Sequence, residues 1–328
     1  MIVTRTPFRI SLGGGGTDLP AYYRQHGGFL VTAAIDKYVY ITVNKRFEPS
    51  LRVSYSKTEI VDHPDELEHP IVREALKLLG LDSHLEIVSI ADLPANTGMG
   101  SSSSFTVGLL NALHAYKREH LAPQALAEEA FHVEVDLVGE PIGKQDKYAA
   151  AFGGIVVLDI DRDGRVAATP LHLHEHTVEA FEGAVSLYYT GIQRAARDVL
   201  GEQSARAAVS DAGVTDAMHG IKRIGACVAD ALRAGDLDRF GELLHEHWET
   251  KKRVSTKMSN PELDGWYELA RRHGAVGGKV MGAGGGGFFM FCTPNGHKPD
   301  VRAALGREGL RELRYNIDFE GSKVIVNF

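Results

Sequence analysis

The sequence has little cysteine, no long apolar run and no excess of basic residues. Its 328 residues include two cysteines, Cys227 and Cys292, which are too few for a disulfide framework and lack zinc-ligand spacing. The formal net charge is −7, so no general positive field attracts nucleic acid or anionic lipid. No stretch reaches the ~18 uninterrupted apolar residues of a membrane span, and the N-terminal MIVTRTPFRI lacks the apolar core of a signal peptide. These absences predict a cytoplasmic protein that binds neither nucleic acid nor membranes.

The remaining composition is that of an ordinary globular protein. Apolar residues make up 44% and charged residues 24% of the chain. Strand-like and helix-like segments alternate up to about residue 180, long helical stretches follow to about residue 273, and the chain ends in strand, helix and strand patterns. We therefore expect an α+β protein with an N-terminal domain at 1–180 and a C-terminal domain at 181–328. No Pro- or Ser-rich linker separates them, so the two should pack closely. The histidine clusters at 172–176 and 245–248 match no metal-ligand pattern and predict structural or surface roles.

The stretch PANTGMGSSSS, residues 94–104, is either a flexible linker or a phosphate-binding loop. An apolar helix without proline or charge up to Lys117 follows at once, which disfavours the linker. Glycine N–H groups and a helix N-terminus are suited to hold an anion, and serine hydroxyls there can cap the helix, donate to phosphate or ligate Mg²⁺. The loop is not a Walker A motif, because it lacks that motif's lysine. We predict phosphate binding at this loop.

Two further segments are rich in glycine. In TPFRISLGGGGTDLP, residues 6–20, the glycines are followed by Asp18, which either accepts hydrogen bonds from sugar hydroxyls or caps a hairpin turn. GAGGGG, residues 282–287, formally matches the dinucleotide fingerprint. A strand-like FFMFC follows it, whereas the fingerprint must open a helix, so a dehydrogenase is disfavoured. We expect this loop to pack against another loop or a ligand.

Two carboxylates follow the serine-rich loop. Glu134 shares a predicted helix face with Ala127, Phe131 and Val138, so it lies either at the edge of the apolar stripe in solvent or buried with a partner such as Mg²⁺. Asp146 precedes an Ala-rich helix, where it is either an N-cap or a functional group.

Taken in order, TPFRISLGGGGTDLP, LPANTGMGSSSSFTVGLL and GKVMGAGGGGFFMF resemble the three motifs of the GHMP small-molecule kinases. This family includes galactokinase, homoserine kinase, mevalonate kinase and phosphomevalonate kinase. The resemblance implies the two-domain GHMP kinase fold, with a ribosomal-S5-like N-terminal domain and a ferredoxin-like C-terminal domain. It also implies that ATP binds in the cleft between the domains.

The resemblance also implies the site residues. Those expected to bind the nucleotide are Pro94, Gly98, Met99, Gly100, Ser101, Ser102 and Ser103. Those expected to bind the substrate are Arg9, Gly15, Gly16, Thr17, Asp18, Gly284 and Gly285. Ser102 and Glu134 would hold Mg²⁺. Asp146 would be the catalytic base. Lys144 or Lys147 would either favour the charged form of Asp146 or steady the transferred group, and Lys147 stands where galactokinases carry Gln.

The runs PFRISLGGGGTDLPAYY, IDKYVYITV and IGKQDKYAAAFGG are most similar to the heptose kinases within this family. This similarity implies ATP-dependent phosphorylation of the anomeric O1 of D-glycero-D-manno-heptose 7-phosphate, on the way to GDP-heptose and surface polysaccharide. The glycines at 13–16 replace the Gly-Glu-His of galactokinase, which argues against galactose. The alternatives are a kinase for fucose, mannose or galactose, and a non-catalytic sugar-sensing relative.

Two questions stay open at this point. The candidates for holding the 7-phosphate are Arg24, Lys37, Lys45, Arg46, Arg194 and Arg197, and nothing in the sequence chooses among them. The oligomeric state, a homodimer included, is also left undetermined.

Overall fold

The computed structural model of the protein describes residues 1–193, 212–255 and 257–328. The described strands are β1 (Ile2–Gly13), β2 (Gly28–Lys45), β3 (Leu51–Ser54), β4 (Thr58–Val61), β5 (Leu85–Ala91), β6 (Ile155–Ile160), β7 (Val166–Pro170), β8 (Val185–Tyr189), β9 (Gly277–Val280), β10 (Phe288–Cys292), β11 (Arg311–Leu313) and β12 (Lys323–Asn327). The described helices are α1 (Pro20–His26), α2 (Pro70–Leu79), α3 (Ser101–Tyr116), α4 (Pro123–Phe131), α5 (Gln145–Phe152), α6 (Glu175–Ala184), α7 (Ala212–Ala234), α8 (Leu237–Lys251), α9 (Pro261–Arg272) and α10 (Lys298–Arg307). None of these helices is long and apolar enough to cross a membrane.

The first sheet is organised around β2. Its strands run in the order β12-β1-β2-β5-β3-β4, and β6 and β7 branch from β2. The sequence predicts two strands at 29–35 and 37–47, but β2 is one strand of 18 residues. Its first half pairs with β6 and its second half with β5, while β1 runs along the other side.

Helix α3 packs on the inner face of this sheet, against β1 and β2. It starts at Ser101, directly after Gly100, whose φ of 80° is left-handed. Gly108 lets it approach β1 closely, since a Cβ there would lie 2.7 Å from the hydroxyl oxygen of Thr6. The helix is buried on nearly all sides, as its uncharged sequence predicts. Its N-terminus therefore has a fixed position relative to β1.

The second sheet is antiparallel, with the strand order β11-β8-β10-β9. In chain order this is 4-1-3-2, with helices α7 to α9 inserted after the first strand and α10 after the third. This arrangement is the ferredoxin-like one, and the α+β class is confirmed. An aromatic core that includes Trp248, Tyr267, Phe289 and Phe291 fills the space beneath the sheet.

Several contacts join the two halves of the chain, and two of them involve β1. Strand β12, at the end of the chain, pairs with β1 at its beginning. Helix α7 packs on the turn after β1, where a Cβ on Gly13 would lie 3.0 Å from Val228 and one on Gly225 would lie 3.1 Å from Gly14. These contacts agree with close packing of the halves. The boundary near residue 180 stays a prediction.

Candidate active site

A cavity of about 150 Å³ lies where β1, the loop before α3, the start of α5 and the β9–β10 loop meet. Its charged lining side chains, within the described ranges, are Arg9, Asp18, Asp146 and Lys251. These four residues come from distant parts of the sequence. The fold, rather than any local motif, brings them together.

The N-terminus of α3 forms one wall of this cavity. Gly98 and Gly100 have φ values of 76° and 80°, and Asn96 has one of 60°, so three left-handed residues turn the chain sharply into the helix. The first i→i−4 bond is donated by the Ser104 N–H to the carbonyl of Gly100, at 2.9 Å. The N–H groups of residues 101–103 precede that bond and are not used within the helix. They and the helix dipole make this wall suited to an anion.

The loop before α3 interlocks with the β9–β10 loop, as predicted. A Cβ on Gly98 would lie 2.7 Å from the carbonyl oxygen of Met281, and a Cβ on Gly282 would lie 2.7 Å from the Cα of Gly98. Gly287 likewise packs against the backbone of Thr97. No other residue type fits at this close approach. The phosphate-binding wall is therefore fixed against the second half of the chain.

Arg9 and Asp146 form a bidentate ion pair in the cavity. The Nε of Arg9 donates to Oδ1 of Asp146 at 2.7 Å and the Nη2 donates to Oδ2 at 2.8 Å. The Nη1 of Arg9 donates to the carbonyl of Gly98 at 2.6 Å, which ties the pair to the phosphate loop. Asp146 is the second residue of α5, and the N-cap is Lys144, so the interpretation of Asp146 as an N-cap is wrong. Its side chain is 28% exposed, enough to meet a ligand in the cavity.

Asp18 lines the cavity and is itself held by backbone N–H groups. Its Oδ1 accepts a hydrogen bond from Gly16 and its Oδ2 accepts one from Gln145, both at 3.0 Å. Burial raises the pKa of Asp18, and the charge of Asp146 raises it further, whereas these hydrogen bonds lower it. Gly143 has no room for a side chain because the Asp18 carboxyl lies against it. Asp18 thus closes a local turn and also faces the cavity, so the two interpretations open from the sequence are compatible.

Glu134 is buried with three partners. It lies in a π-helical segment, His132–Leu137, that continues α4, and such segments are frequent at functional sites. Its carboxylate accepts hydrogen bonds from the hydroxyls of Ser102 and Ser103, the latter at 2.8 Å. Lys147 donates to the same carboxylate at 3.0 Å, and both of these side chains are fully buried. The sequence left open whether Glu134 is exposed or partnered, and it is partnered.

The hydroxyl of Ser102 and the carboxylate of Glu134 are oxygen donors of the kind that Mg²⁺ prefers, and they touch each other. They therefore fit the predicted metal. Lys147 balances the charge of Glu134 in the absence of metal. The part of the chain that the structure describes holds no group of three or more His, Cys, Asp or Glu side chains suited to a metal.

A second pocket, of about 440 Å³, adjoins the cavity and shares Asn96, Ser101 and Ser102 with it. Three aromatic side chains, Tyr55, His69 and Phe105, form part of its walls. The ring of His69 stacks on Phe105 at 5.0 Å and meets Tyr55 edge-on at 4.7 Å. A flat, apolar group next to a phosphate-binding wall is what this pair of pockets accommodates.

Comparisons with known proteins agree with this geometry. Residues 70–154 match the GHMP kinases N terminal domain, and residues 228–311 match the GHMP kinases C terminal domain. The chain is 31% identical to the D-glycero-alpha-D-manno-heptose 7-phosphate kinase of Campylobacter jejuni, over 98% of both chains. It is 25% identical to the galactokinase of Pyrococcus furiosus, over 97% of this chain and 96% of that one. A crystal structure described as a D-glycero-D-manno-heptose 1-phosphate kinase from Bacteroides thetaiotaomicron superposes with a TM-score of 0.82 at 25% identity, covering 100% of both chains.

The chain belongs to the GHMP kinase family. It is an ATP-dependent sugar kinase. The two-domain fold expected from the three glycine-rich motifs is confirmed. The roles of individual site residues remain predictions, and the structure places these residues as follows.

Three predicted residues of this GHMP kinase lie elsewhere than expected. The Nζ of Lys144 pairs with Glu128 at 2.7 Å and does not line the cavity, because α5 points it toward α4. Neither it nor Lys147 contacts Asp146, whose cationic partner is Arg9. The hydroxyl of Thr17 is buried and donates to the backbone carbonyls of residues 14 and 29, so Thr17 shapes the turn rather than facing the cavity.

The predicted loop residues divide in a similar way. Gly284 and Gly285 pack against Met258 and are buried, while Gly282 and Ala283 line the cavity instead. The predicted residues that do line it are Arg9, Gly15, Gly16, Asp18, Gly98, Gly100, Ser101, Ser102, Ser103 and Asp146. Of the remainder, Met99 has its side chain in the core and Pro94 begins the loop on the exposed side.

Lys251 is a cavity residue that the sequence analysis missed. It stands in the run KKR, residues 251–253, which resembles a solvated charge run. The helical period carries a signal, since Leu244 and Trp248 precede it at offsets of seven and three and are both fully buried. Lys251 is therefore on the buried face of α8.

The candidates for holding the 7-phosphate of the sugar are a separate set of basic residues, and none of those that the structure describes lines the cavity. Lys37 pairs with Asp36, and Arg46 pairs with Glu48. Arg24 and Lys45 also lie away from it. Arg194 and Arg197 lie outside the described residues.

Proposed function

We propose that this GHMP kinase transfers the γ-phosphoryl group of ATP to the anomeric O1 of D-glycero-D-manno-heptose 7-phosphate, giving the 1,7-bisphosphate. The observation that carries the proposal is the 31% identity over 98% of both chains with the C. jejuni enzyme of that name. The Arg9–Asp146 pair beside the phosphate-binding wall supports it, because a carboxylate able to accept a hydroxyl proton lies next to groups suited to hold phosphate.

The triphosphate would lie at the N-terminus of α3. There the N–H groups of residues 101–103 face the cavity, and the adjoining aromatic pocket with Phe105 and Tyr55 would take the purine. Ser102 and Glu134 would hold Mg²⁺, which when bound neutralises charge on the β- and γ-phosphates. Since Lys147 already balances Glu134, we infer that the phosphates supply much of the affinity for the metal.

Asp146 would act as the general base. The carboxylate takes the proton of the O1 hydroxyl, O1 forms a bond to the γ-phosphorus, and the bond from that phosphorus to the β–γ bridging oxygen breaks, releasing ADP. Arg9 holds both carboxylate oxygens at 2.7–2.8 Å and fixes their direction. A positioned base of this kind contributes typically ~10²–10⁴-fold to the rate.

Asp18 would orient the sugar. Each of its oxygens accepts one backbone hydrogen bond, and a carboxylate oxygen has further lone pairs for sugar hydroxyls. The short turn at Gly15 and Gly16 lets the sugar approach the backbone, since both line the cavity without side chains.

A second candidate is favoured by the B. thetaiotaomicron structure, which is described as a heptose 1-phosphate kinase. In that case the acceptor would already carry its phosphate at the anomeric position. Both candidates have a phosphorylated heptose as the acceptor, and they differ in the hydroxyl that reacts.

The test is ADP release measured across a panel of acceptors. The panel contains heptose 7-phosphate, heptose 1-phosphate, free heptose, fucose, mannose and galactose. We expect the highest kcat/KM with heptose 7-phosphate. Turnover restricted to the unphosphorylated sugars would contradict the proposal, and a preference for heptose 1-phosphate would establish the second candidate.

A further inference from the structure

The second half of the chain brings a group of buried basic side chains to the side of the cavity formed by α8, β9 and the β9–β10 loop, and the proposed chemistry does not use them. Lys251, Lys279 and His247 are respectively 6%, 1% and 0% exposed; we call them the basic wall. Neither nitrogen of His247 has a hydrogen-bond partner within the described part of the chain. Of the three, Lys251 reaches the cavity itself.

Lys251 has no acidic partner among the described residues. Its Nζ donates to the carbonyl of Gly282 at 2.6 Å. The other cation of the cavity, Arg9, already donates to both carboxylate oxygens of Asp146 through its Nε and Nη2. Of the two cations in the described lining of the cavity, Lys251 is therefore the one without a carboxylate at contact distance.

The groups facing Lys251 favour an anion there. Arg9 from β1, Lys279 from β9 and His247 from its own helix are basic, and Asp18 is the acidic group nearby. Burial and the charge of Arg9 lower the pKa of Lys251 to about 8, while Asp18 raises it. A buried ammonium without a counter-ion is costly. An anion brought by the ligand would remove that cost.

We propose that Lys251 binds the phosphate that the acceptor sugar already carries, so that the enzyme selects phosphorylated sugars. This inference rests on the proposed function. The transferred γ-phosphoryl group would already be surrounded by the N-terminus of α3 and by Arg9. Lys251 comes from the other half of the chain, next to Asp18, the group proposed to orient the sugar. A phosphate beyond the sugar ring is what this position can reach.

The test compares Lys251→Met with the matched control Lys252→Met. Lys252 is the next residue, pairs with Glu249 at 2.7 Å and does not line the cavity. KM and kcat are measured with heptose 7-phosphate, and free heptose is measured as a substrate or as a competitive inhibitor. For Lys251→Met we expect the KM for heptose 7-phosphate to rise about 10- to 100-fold, because one charge-assisted hydrogen bond is lost.

In Lys251→Met, the KM or inhibition constant for free heptose and the KM for ATP should stay within about three-fold of the wild-type values. Lys252→Met should behave as the wild type. Lys251→Arg should recover part of the affinity for the phosphorylated sugar. Equal losses with the phosphorylated and the free sugar, or a fall in kcat alone, would overturn the proposal. A circular dichroism spectrum and thermal melt of each variant exclude misfolding as the cause.

The failure of this inference is distinguishable from failure of the proposed function. If the wild type prefers another phosphorylated sugar, the heptose assignment falls, and the same comparison is run with that sugar and its free form. If the wild type accepts unphosphorylated sugars alone, both the assignment and the role of Lys251 fall.

Discussion

Replacing Asp146 with asparagine tests the proposed base. Asparagine keeps the shape of the side chain but cannot take up the O1 proton, and its amide accepts one of the two hydrogen bonds that Arg9 donates at 2.7 and 2.8 Å. Because a general base contributes ~10²–10⁴-fold, we expect kcat to fall by about that factor. The KM for ATP should change little, since the contacts proposed for ATP lie at α3.

The same substitution should lower stability slightly. A hydrogen bond to a charged group contributes about 1.5–3 kcal/mol to stability. The Asp146 side chain is 28% exposed, so solvent screening lowers the contribution of its bond with Arg9. We therefore expect the free energy of unfolding to fall by about 1–2 kcal/mol. Urea unfolding and nucleotide titration would verify that the variant folds and binds ATP.

The assay is coupled ADP release with saturating ATP. Asp159→Asn, at an exposed position on β6, is the control and should retain full activity. An Asp146→Asn variant that turns over at the wild-type rate would refute Asp146 as the base. A loss confined to KM would assign it to substrate binding instead.

Three further predictions concern the loop, the buried ion pair and pH. Gly98 has a φ of 76°, and a Cβ added there would lie 2.7 Å from the carbonyl oxygen of Met281. Gly98→Ala should therefore lower the free energy of unfolding by about 2–4 kcal/mol and weaken ATP binding. Gly139→Ala is the control, because Gly139 has a φ of 81° but no atom within 4 Å of an added Cβ, and it should lower the free energy of unfolding by about 1 kcal/mol. Equal melting temperatures for the two variants would contradict the tight packing of Gly98 against the β9–β10 loop. Lys147→Gln leaves the buried carboxylate of Glu134 without its cation, so the free energy of unfolding in urea should fall by about 2–4 kcal/mol. Mg²⁺ should restore part of that loss, and an unchanged unfolding curve would show that the ion pair does not stabilise the protein. Lys251 has a pKa of about 8, so its side chain is charged below that pH and neutral above it. In the wild type the KM for heptose 7-phosphate should therefore rise as the pH increases through 8, whereas in Lys251→Met it should not. A flat wild-type profile would contradict a charged role.

The local parts of the site could be predicted from the sequence. The glycines at 98 and 100 and the uncharged segment after them determine a sharp turn into a buried helix, and α3 starts at Ser101 as this requires. The strand after GAGGGG likewise excludes a dinucleotide fold without reference to the rest of the chain. Each of these depends on neighbouring residues alone.

The contacts between distant residues could not be predicted. Arg9 and Asp146 are 137 positions apart, and the sequence suggested Lys144 or Lys147, both close to Asp146 in the chain, as the cation beside it. Sequence proximity misleads here because α5 points Lys144 toward Glu128. Lys251 stands among other charged residues in the sequence, and the packing of α8 is what places it in the cavity.

The length of β2 was also missed, for a physical reason. Asp36 and Lys37 look like an interruption between two strands, and the register between β1 and β2 does shift there, with Tyr38 opposite Pro7 and Ile35 opposite Phe8. The strand nevertheless continues through these two half-buried residues, which pair with each other at 2.7 Å. The first and second halves of the strand pair with different neighbours. No local pattern records that change of partner.

The central claim is that the protein phosphorylates the anomeric oxygen of a heptose that already carries a phosphate. It is tested most directly by phosphorus NMR of the product formed from ATP and D-glycero-D-manno-heptose 7-phosphate. We expect one ADP per sugar and a new phosphorus resonance coupled to the anomeric proton, with the original phosphate unchanged. A new phosphate at any other position, or no product while a free hexose is consumed, would contradict it.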